Sequence, residues 1–298
     1  MSLARRIVVV RRRTELDELL ARHGTRGQAA FFLSSRGRSL DEVDERDRAL
    51  RGALATVTAA IPADLRRADV ERADLDRFLF ARDDIVAVVG QDGLVANVAK
   101  YLDGQPVIGV NPEPARNPGV LVAHAPPAFE DVLRAVTEGK STDDSRTMVE
   151  ASLDDGQTLV ALNEIFVGHP SHQSARYRIQ ADGADERQSS SGLIVSTGTG
   201  ATGWCRSIWQ QSHSNLQLPE PPEARLIWFV REAWPSPSTG TSLVEGEFEG
   251  AQTLRLIAET DGLVAFGDGI ESDHLTLSWG QQVTARLANR RLRLVRTA

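Results

Sequence analysis

The chain has 298 residues, of which 41 are acidic and 34 basic, so its formal charge is −7 and general binding to nucleic acid or anionic membranes is disfavoured. Its composition, 41% hydrophobic and 25% charged, is globular, and one cysteine, Cys205, excludes an intramolecular disulfide or a thiolate zinc site. Because no apolar run approaches the roughly 20 residues of a membrane span and the N-terminal stretch has no signal-peptide core, we expect a cytoplasmic protein without nucleic-acid or membrane partners.

Short β-branched runs alternate with amphipathic segments in the first half of the chain. The predicted strands are 6–10, 85–90 and 106–110. The predicted helices are 14–23, a helix from a capping box at Ser39 to about residue 60, 74–80 and 94–102. A strand, tight turn, helix and strand in close succession form a βαβ unit, which predicts a parallel sheet.

The second half changes to short β-rich runs separated by turn residues. The predicted strands are 159–167, 175–180, 193–197, 226–231, 253–259, 275–279, 283–287 and 292–295. This spacing predicts an antiparallel β domain. The fold class is therefore an α/β N-terminal domain with a parallel sheet (1–145) and a mainly antiparallel β C-terminal domain (146–298), whose extreme C-terminal segment could return to the first domain.

A Gly-Gln-Asp-Gly motif, residues 90–93, follows one buried strand and precedes a helix. Ligands of open α/β sheets collect at the carboxyl ends of strands, and glycines let a ligand approach the backbone. An acidic residue there would bind Mg²⁺, hold a hydroxyl or accept a proton. The competing interpretation is a tight turn in which Asp92 caps the helix, and spacing alone favours it.

Two polar residues, Asn163 and Glu164, interrupt an apolar run. An asparagine amide offers a donor and an acceptor to a base, and a glutamate accepts from ribose hydroxyls. The alternative is that the pair lies at a strand end or a half-exposed edge, and periodicity leaves the two interpretations even.

A Gly/Thr-rich stretch, residues 196–203, contains G-x-G-x-x-G after a strand. The βαβ unit of a classical dinucleotide fold does not follow it, so we interpret it as a ligand-binding turn or, alternatively, a surface loop. Gly267-Asp268-Gly269 reads as a hairpin turn, and the five tryptophans read as core or interface residues.

Taken in order, these motifs resemble the NAD kinase family, whose signature is Gly-Gly-Asp-Gly-Thr, Val-Ile-Gly-Val-Asn, Ala-Leu-Asn-Glu and a Thr-x-Thr-Gly loop. The corresponding stretches here are 89–94, 107–111, 161–164 and 190–200. The wording of 107–116, 161–168 and 190–204 is most similar to the mitochondrial-type branch. The resemblance covers residues 5 to 295 in ordered blocks.

The resemblance implies transfer of a phosphoryl group from ATP or polyphosphate to the 2′-hydroxyl of the adenosine ribose of NAD. It also implies Mg²⁺ or another divalent cation and a homodimer or homotetramer. Asp92 would be the catalytic carboxylate and could also bind the metal. The residues that would bind the nucleotides are Gly90, Gly93, Asn163, Glu164, Thr199, Thr202, Gly203, Ser207 and Asp268.

Two positions depart from the family signature: Gln91 replaces its second glycine and Leu94 its threonine. Leucine cannot give a phosphate oxygen the hydroxyl bond that threonine can. An NAD kinase with a changed donor site is therefore one hypothesis, and a catalytically impaired NAD(P)-binding sensor is another. A lipid or sugar kinase with a related Gly-Gly-Asp-Gly element is a third, and a dehydrogenase that uses the Gly/Thr loop is the least supported.

Overall fold

The computed structural model describes residues 5–296 and divides them into two compact units. Unit 1 comprises the described residues up to Asp144 and those from Arg293 onward, and unit 2 is Ser145–Leu292. The predicted fold class is confirmed, because unit 1 is an α/β unit with a mostly parallel sheet and unit 2 is built from antiparallel sheets. Among residues 5–296 there is no helix whose length and apolar character would allow it to cross a bilayer.

The sheet of unit 1 has six strands. In sheet order they are β2 (Arg66–Glu71), β1 (Arg6–Arg11), β3 (Ile85–Val89), β4 (Pro106–Val110), β18 (Leu292–Arg296) and β5 (Thr142–Arg146). The first five pair in parallel. Every residue of β3 is buried, as a central parallel strand covered on both faces requires. The C-terminal strand pairs with β4, which places it in unit 1.

Five helices accompany this sheet. They are α1 (Glu15–His23), α2 (Arg26–Ser34), α3 (Leu40–Ala59), α4 (Asp92–Ala99) and α5 (Phe129–Thr137). Apolar residues of α3 and α5 form one core with those of the sheet. The predicted helix at 74–80 is instead a 3₁₀ helix, Arg72–Arg77, with Leu75 as its buried residue. The prediction missed α5, although its buried residues Phe129, Val132, Leu133 and Val136 have helical spacing.

Unit 2 consists of two six-stranded sheets and one helix. The first sheet is β10 (Ala184–Ser190), β9 (Ala175–Ala181), β14 (Leu254–Ala258), β17 (Gln282–Leu287), β6 (Val149–Leu153) and β7 (Thr158–Ala161). The second is β13 (Glu245–Glu249), β12 (Arg225–Val230), β11 (Leu193–Ser196), β8 (Glu164–Gly168), β15 (Leu263–Gly267) and β16 (His274–Leu277). The main core is built from buried residues of both sheets, and a second cluster joins the second sheet to α6 (Trp204–Gln211).

The single strand predicted at 159–167 is wrong, because the chain leaves one sheet and enters the other within it. β7 ends at Ala161 in the first sheet, and β8 begins at Glu164 in the second. Leu162 and Asn163 therefore lie in the crossing, where their N–H groups find partners outside the strand ladders. The break puts Asn163 outside both strands and makes Glu164 the first residue of β8, where an apolar run suggested one continuous strand.

Candidate active site

The Gly-Gln-Asp-Gly motif of unit 1 lies between β3 and α4. Asp92 is the first residue of α4, and the residue before it, Gln91, makes no side-chain capping bond. The interpretation of Asp92 as a helix cap is therefore wrong. Instead its Oδ1 accepts hydrogen bonds from the N–H groups of Leu121 at 2.8 Å and Val122 at 3.0 Å, and its Oδ2 accepts one from Val120 at 2.9 Å.

These three bonds leave Asp92 with limited further capacity. A carboxylate offers about four acceptor positions, so about one, on Oδ2, stays open to a hydroxyl or a cation. The geometry therefore gives Asp92 a structural task beside the predicted catalytic one.

The loop that binds Asp92 passes beside the Val-Ile-Gly-Val-Asn run. Asn111 donates its amide N–H to the Asn117 carbonyl at 2.7 Å and accepts from the N–H of Glu113 at 3.0 Å. A Cβ on Gly109 would lie 2.1 Å from the carbonyl oxygen of Leu121, so only glycine lets the loop pass beside β4. The motif thus leaves room for the loop whose amides hold Asp92.

The remaining residues of this motif differ in how tightly they are packed. A Cβ on Gly93 would meet nothing within 4 Å, whereas one on Gly90 would meet the Leu94 side chain at 3.1 Å. Gln91 is exposed, and its φ of −103° is open to every residue, so this turn does not require a second glycine. Leu94 is 5% exposed and belongs to the packing of α4.

In unit 2, three motifs far apart in sequence meet at one end of the second sheet. The register pairs Ser196 with Glu164 and Gly267 with Ile165. The start of β8, the end of β11 and the end of β15 therefore lie side by side. This arrangement brings Asn163 and Glu164 together with the Gly/Thr loop and the Gly-Asp-Gly turn.

The backbone of residues 162–164, here called the 162–164 segment, is held by hydrogen bonds from both neighbouring motifs. Asp268 accepts from the N–H of Leu162 at 2.8 Å and from that of Asn163 at 2.7 Å. Thr197 donates its hydroxyl to the Leu162 carbonyl at 2.5 Å and its N–H to the Asn163 carbonyl at 2.9 Å. By contrast, the side chains of Asn163 and Glu164 have no hydrogen-bond partner within the described part of the chain.

Glu164 is electrostatically the most unusual group of this site. Burial, with a smaller contribution from the negative charge of Asp268, raises the pKa of Glu164 to about 7. A carboxyl that titrates near neutrality can donate a hydrogen bond when protonated and accept one when ionised. The strand end thus presents an amide and a carboxyl, both available to a ligand.

The Gly/Thr loop owes two of its glycines to packing. A Cβ on Gly198 would lie 2.1 Å from the backbone of Glu220, and one on Gly200 would lie 2.3 Å from the Asn163 carbonyl oxygen. A Cβ on Gly203 would make only an ordinary contact, with the Gly200 carbonyl oxygen at 3.8 Å. The hydroxyl groups of this region already have partners in the protein. The buried Thr199 hydroxyl accepts a hydrogen bond from Arg146 at 3.4 Å. Thr202 donates to the Thr199 carbonyl at 2.9 Å, and Ser207 donates to the Gly203 carbonyl at 3.5 Å.

The sequence interpretation missed an aromatic cavity of about 520 Å³ in unit 2. Phe166 lies two residues after Glu164 on β8 and therefore on the same face of the strand. The centroid of its ring lies 5.9 Å from that of Trp204 and 5.1 Å from that of Phe266. The Arg231 guanidinium lies 5.2 Å from the Trp204 ring centroid. The signal in the sequence was a phenylalanine on each of two strands, which only the strand pairing brings together.

Comparison with solved structures shows the class of fold to which the chain belongs. No family model matches the chain. Its fold is that of an Archaeoglobus fulgidus NAD kinase in complex with ATP (TM-score 0.59, 18% identity, 98% of this chain and 94% of the other). It is also that of a yeast NADH kinase complexed with NADH (TM-score 0.61, 14% identity, 100% and 85%). The fold and the site therefore define a protein of the NAD kinase fold.

Sequence comparison makes the relationship more specific. An NAD kinase of Saccharophagus degradans is 34% identical over 138 residues, 43% of this chain and 46% of the relative. One from Shewanella baltica is 28% identical over 229 residues, 72% and 68%. The match therefore spans just under half the length of the first of these relatives. The chain is therefore similar in sequence to NAD kinases, in line with the predicted resemblance, whereas its place in the mitochondrial-type branch stays a prediction.

Proposed function

We propose that this protein is an NAD kinase, which phosphorylates the 2′-hydroxyl of the adenosine ribose of NAD to give NADP. A bond forms between the ribose oxygen and the terminal phosphorus of ATP, the bond from that phosphorus to ADP breaks, and the hydroxyl proton passes to a carboxylate. The fold and the sequence relationship support this assignment. Such a reaction asks the protein chiefly for positioning and charge neutralisation.

The observation that carries the proposal is the state of Asn163 and Glu164. Their backbone groups are bonded within unit 2, while the amide and the carboxyl are unpaired and half-buried. Both side chains reach solvent, so the protein itself leaves this amide and this carboxyl available to pair with a ligand. We assign Asn163 to an adenine or amide edge of NAD and Glu164 to a ribose hydroxyl. We assign Thr199, Thr202, Gly203 and Ser207 to further contacts with the dinucleotide.

The aromatic cavity beside Glu164 suits a planar ring of the same dinucleotide. Phe166, Phe266 and Trp204 supply flat apolar surfaces, and Trp204 is 36% exposed. Ring stacking on aromatic side chains contributes about 0.5–1.5 kcal/mol beyond the burial of area. We propose that one ring of NAD lies against Trp204.

For unit 1 we propose that Asp92 accepts the proton of the attacking hydroxyl or holds it in place, through the acceptor position that its backbone bonds leave open. Mg²⁺ commonly binds one carboxylate together with phosphates of the substrate, and Asp92 supplies one such carboxylate. Within residues 5–296 there is no cluster of three or more His, Cys, Asp or Glu side chains able to hold a metal ion. Mg²⁺ that took the one open position of Asp92 in place of the hydroxyl would neutralise the charge on the transferring phosphate. Gly90 and Gly93 would leave room for the phosphates.

The direct test incubates the purified chain with NAD, a divalent cation and either ATP or polyphosphate, and measures NADP. We expect NADP with ATP and no NADP when the cation is omitted. Absence of NADP with every donor and cation would overturn the proposal. We also propose a cytoplasmic homodimer or homotetramer, which sedimentation analysis of the full chain would test.

One observation favours an alternative, a sensor that binds NAD without phosphorylating it. Leu94 gives a phosphate no hydroxyl, and it is buried against its own helix. Calorimetric NAD binding together with absence of NADP would support this alternative.

A further inference from the structure

The Gly-Asp-Gly turn after β15 sends the Asp268 carboxylate back into the protein. Each oxygen accepts one backbone N–H, Oδ2 from Leu162 at 2.8 Å and Oδ1 from Asn163 at 2.7 Å. The Asp268 N–H in turn donates to the Glu164 carbonyl at 3.2 Å. One residue therefore contacts the backbone of all three residues in the 162–164 segment.

The turn is shaped for this contact. Asp268 has a φ of +53°, in the left-handed region that non-glycine residues rarely adopt, although aspartate and asparagine tolerate it best. Its neighbours are glycines: a Cβ on Gly267 would lie 2.6 Å from the Ala161 side chain, and Gly269 has a φ of +68°. A local conformational cost of this kind persists where surrounding contacts fix it, often at functional sites.

The hydrogen bonds from Asp268 and Thr197 use the backbone groups of the segment and leave its side chains unpaired. Leu162 and Asn163 lie between two sheets, where no strand partner would otherwise fix their conformation. The backbone conformation from which the Asn163 and Glu164 side chains project is therefore set by the bonds to the Asp268 carboxylate together with those from Thr197.

We propose that Asp268 is a positioning residue: it orients Asn163 and Glu164 toward the nucleotide through the N–H groups of Leu162 and Asn163, rather than by touching the nucleotide itself. This differs from the role in nucleotide binding that the family resemblance implied. The inference rests on the proposed binding of NAD by these two side chains.

The variant Asp268→Asn tests the idea because asparagine tolerates the left-handed φ and keeps the size of the side chain. Its amide nitrogen replaces one acceptor oxygen, so one of the two N–H groups loses its partner. The chain offers a matched control at the opposite end of β15. Asp261 also precedes a glycine and accepts a backbone N–H, that of Trp279 at 2.7 Å, far from the 162–164 segment along the strand.

The first measurement is amide hydrogen exchange of the full chain, which does not depend on any activity. In Asp268→Asn we expect exchange at Leu162 and Asn163 to accelerate about tenfold or more, and in Asp261→Asn no change there. Unchanged exchange at these two amides in the folded Asp268→Asn variant would overturn the proposal.

The second measurement is a double-mutant cycle on the Kd for NAD, determined by calorimetry. We expect Asp268→Asn to raise Kd about tenfold, Asn163→Ala to raise it by a similar factor, and the double variant to be less than threefold weaker than either one. Multiplying effects would mean that Asp268 contacts NAD independently, which would overturn the positioning role. If the wild-type chain does not bind NAD, the proposed function fails, and hydrogen exchange alone then decides whether Asp268 holds the segment.

Discussion

Two Asp-Gly pairs, one in each unit, have an aspartate carboxylate that accepts backbone N–H groups, but the surroundings of the two carboxylates differ. Asp92 begins a helix and accepts three backbone N–H bonds from a loop, and Asp268 occupies a left-handed turn and accepts two from the 162–164 segment. Glu164 lies beside Asp268 but differs from it, because the Glu164 carboxyl has no hydrogen-bond partner among the described residues. The pKa of Glu164 is raised to about 7. An acidic motif therefore does not reveal which carboxylate is free to react, because the partners of each carboxylate decide that.

The largest expected effect comes from Asp92→Asn. Loss of a positioned proton acceptor typically costs 10²–10⁴-fold in rate, so we expect NADP formation to fall at least about 100-fold. The amide also leaves one loop N–H unpaired, which we expect to lower the free energy of unfolding by about 1–3 kcal/mol. The rate is measured by an NADP assay and stability by urea unfolding.

The control for Asp92→Asn is the affinity for NAD, which we assign to unit 2 and expect to change less than twofold. A variant that retains more than a tenth of the wild-type rate would show that Asp92 serves only to hold its loop.

Gly200→Ala breaks the other half of the comparison. Its Cβ would lie 2.3 Å from the Asn163 carbonyl oxygen, so the loop or the 162–164 segment must move. We expect a loss of about 1–3 kcal/mol of stability and at least tenfold weaker NAD binding. Thermal unfolding and calorimetry measure the two effects.

The matched substitution Gly52→Ala lies in α3, where a Cβ meets nothing within 4 Å, and should stabilise the chain by about 0.5–1 kcal/mol. Unweakened NAD binding in Gly200→Ala would remove the Gly/Thr loop from the site.

Glu164→Gln tests the pKa of the unpaired carboxyl. Because its pKa is raised in the folded state, from 4.5 to about 7, the native protein binds more protons than the unfolded chain between these values. Stability contributed by the protonated form is present below about pH 4.5 and falls as pH rises toward 7, by about 1.4 kcal/mol per unit. Glutamine stays neutral, so we expect the variant to be more stable than the wild type by about 2–3 kcal/mol at pH 8 and equally stable at pH 4.

Urea unfolding of both proteins at the two pH values provides the measurement. An equal difference in stability at pH 4 and pH 8 would place the pKa of Glu164 at its ordinary value.

The smallest expected effect is that of Gln91→Gly combined with Leu94→Thr, which restores the family signature beside Asp92. If the missing hydroxyl weakens the donor site, the KM for ATP should fall a few-fold while the Kd for NAD is unchanged. Since Leu94 is buried, we expect a stability loss of about 1–2 kcal/mol. Leu94→Val, which also shortens the side chain but adds no hydroxyl, is the control, and an equal KM in both would refute the explanation.

Much of unit 1 could be predicted from local pattern, because its central strands are continuous apolar runs and α1 has a capping box at Thr14. Unit 2 was harder. The hairpin strand β10 is mostly polar, and the run at 159–167 looks uniform although it passes between two sheets. Periodicity reports which face of one strand is buried, and it carries no information on which sheet the strand joins.

The sequence by itself determined the α/β and antiparallel β classes of the two units, the family relationship, and the identity of Asp92, Asn163, Glu164 and Asp268 as candidates. Only the tertiary structure decided which of these side chains are bonded within the protein. It bonded Asp92 and Asp268 to backbone amides about 30 and 105 residues away and left Asn163 and Glu164 unpaired. The physical reason is that the availability of a carboxylate depends on donors supplied by distant segments, and chain folding alone brings those donors within hydrogen-bonding distance.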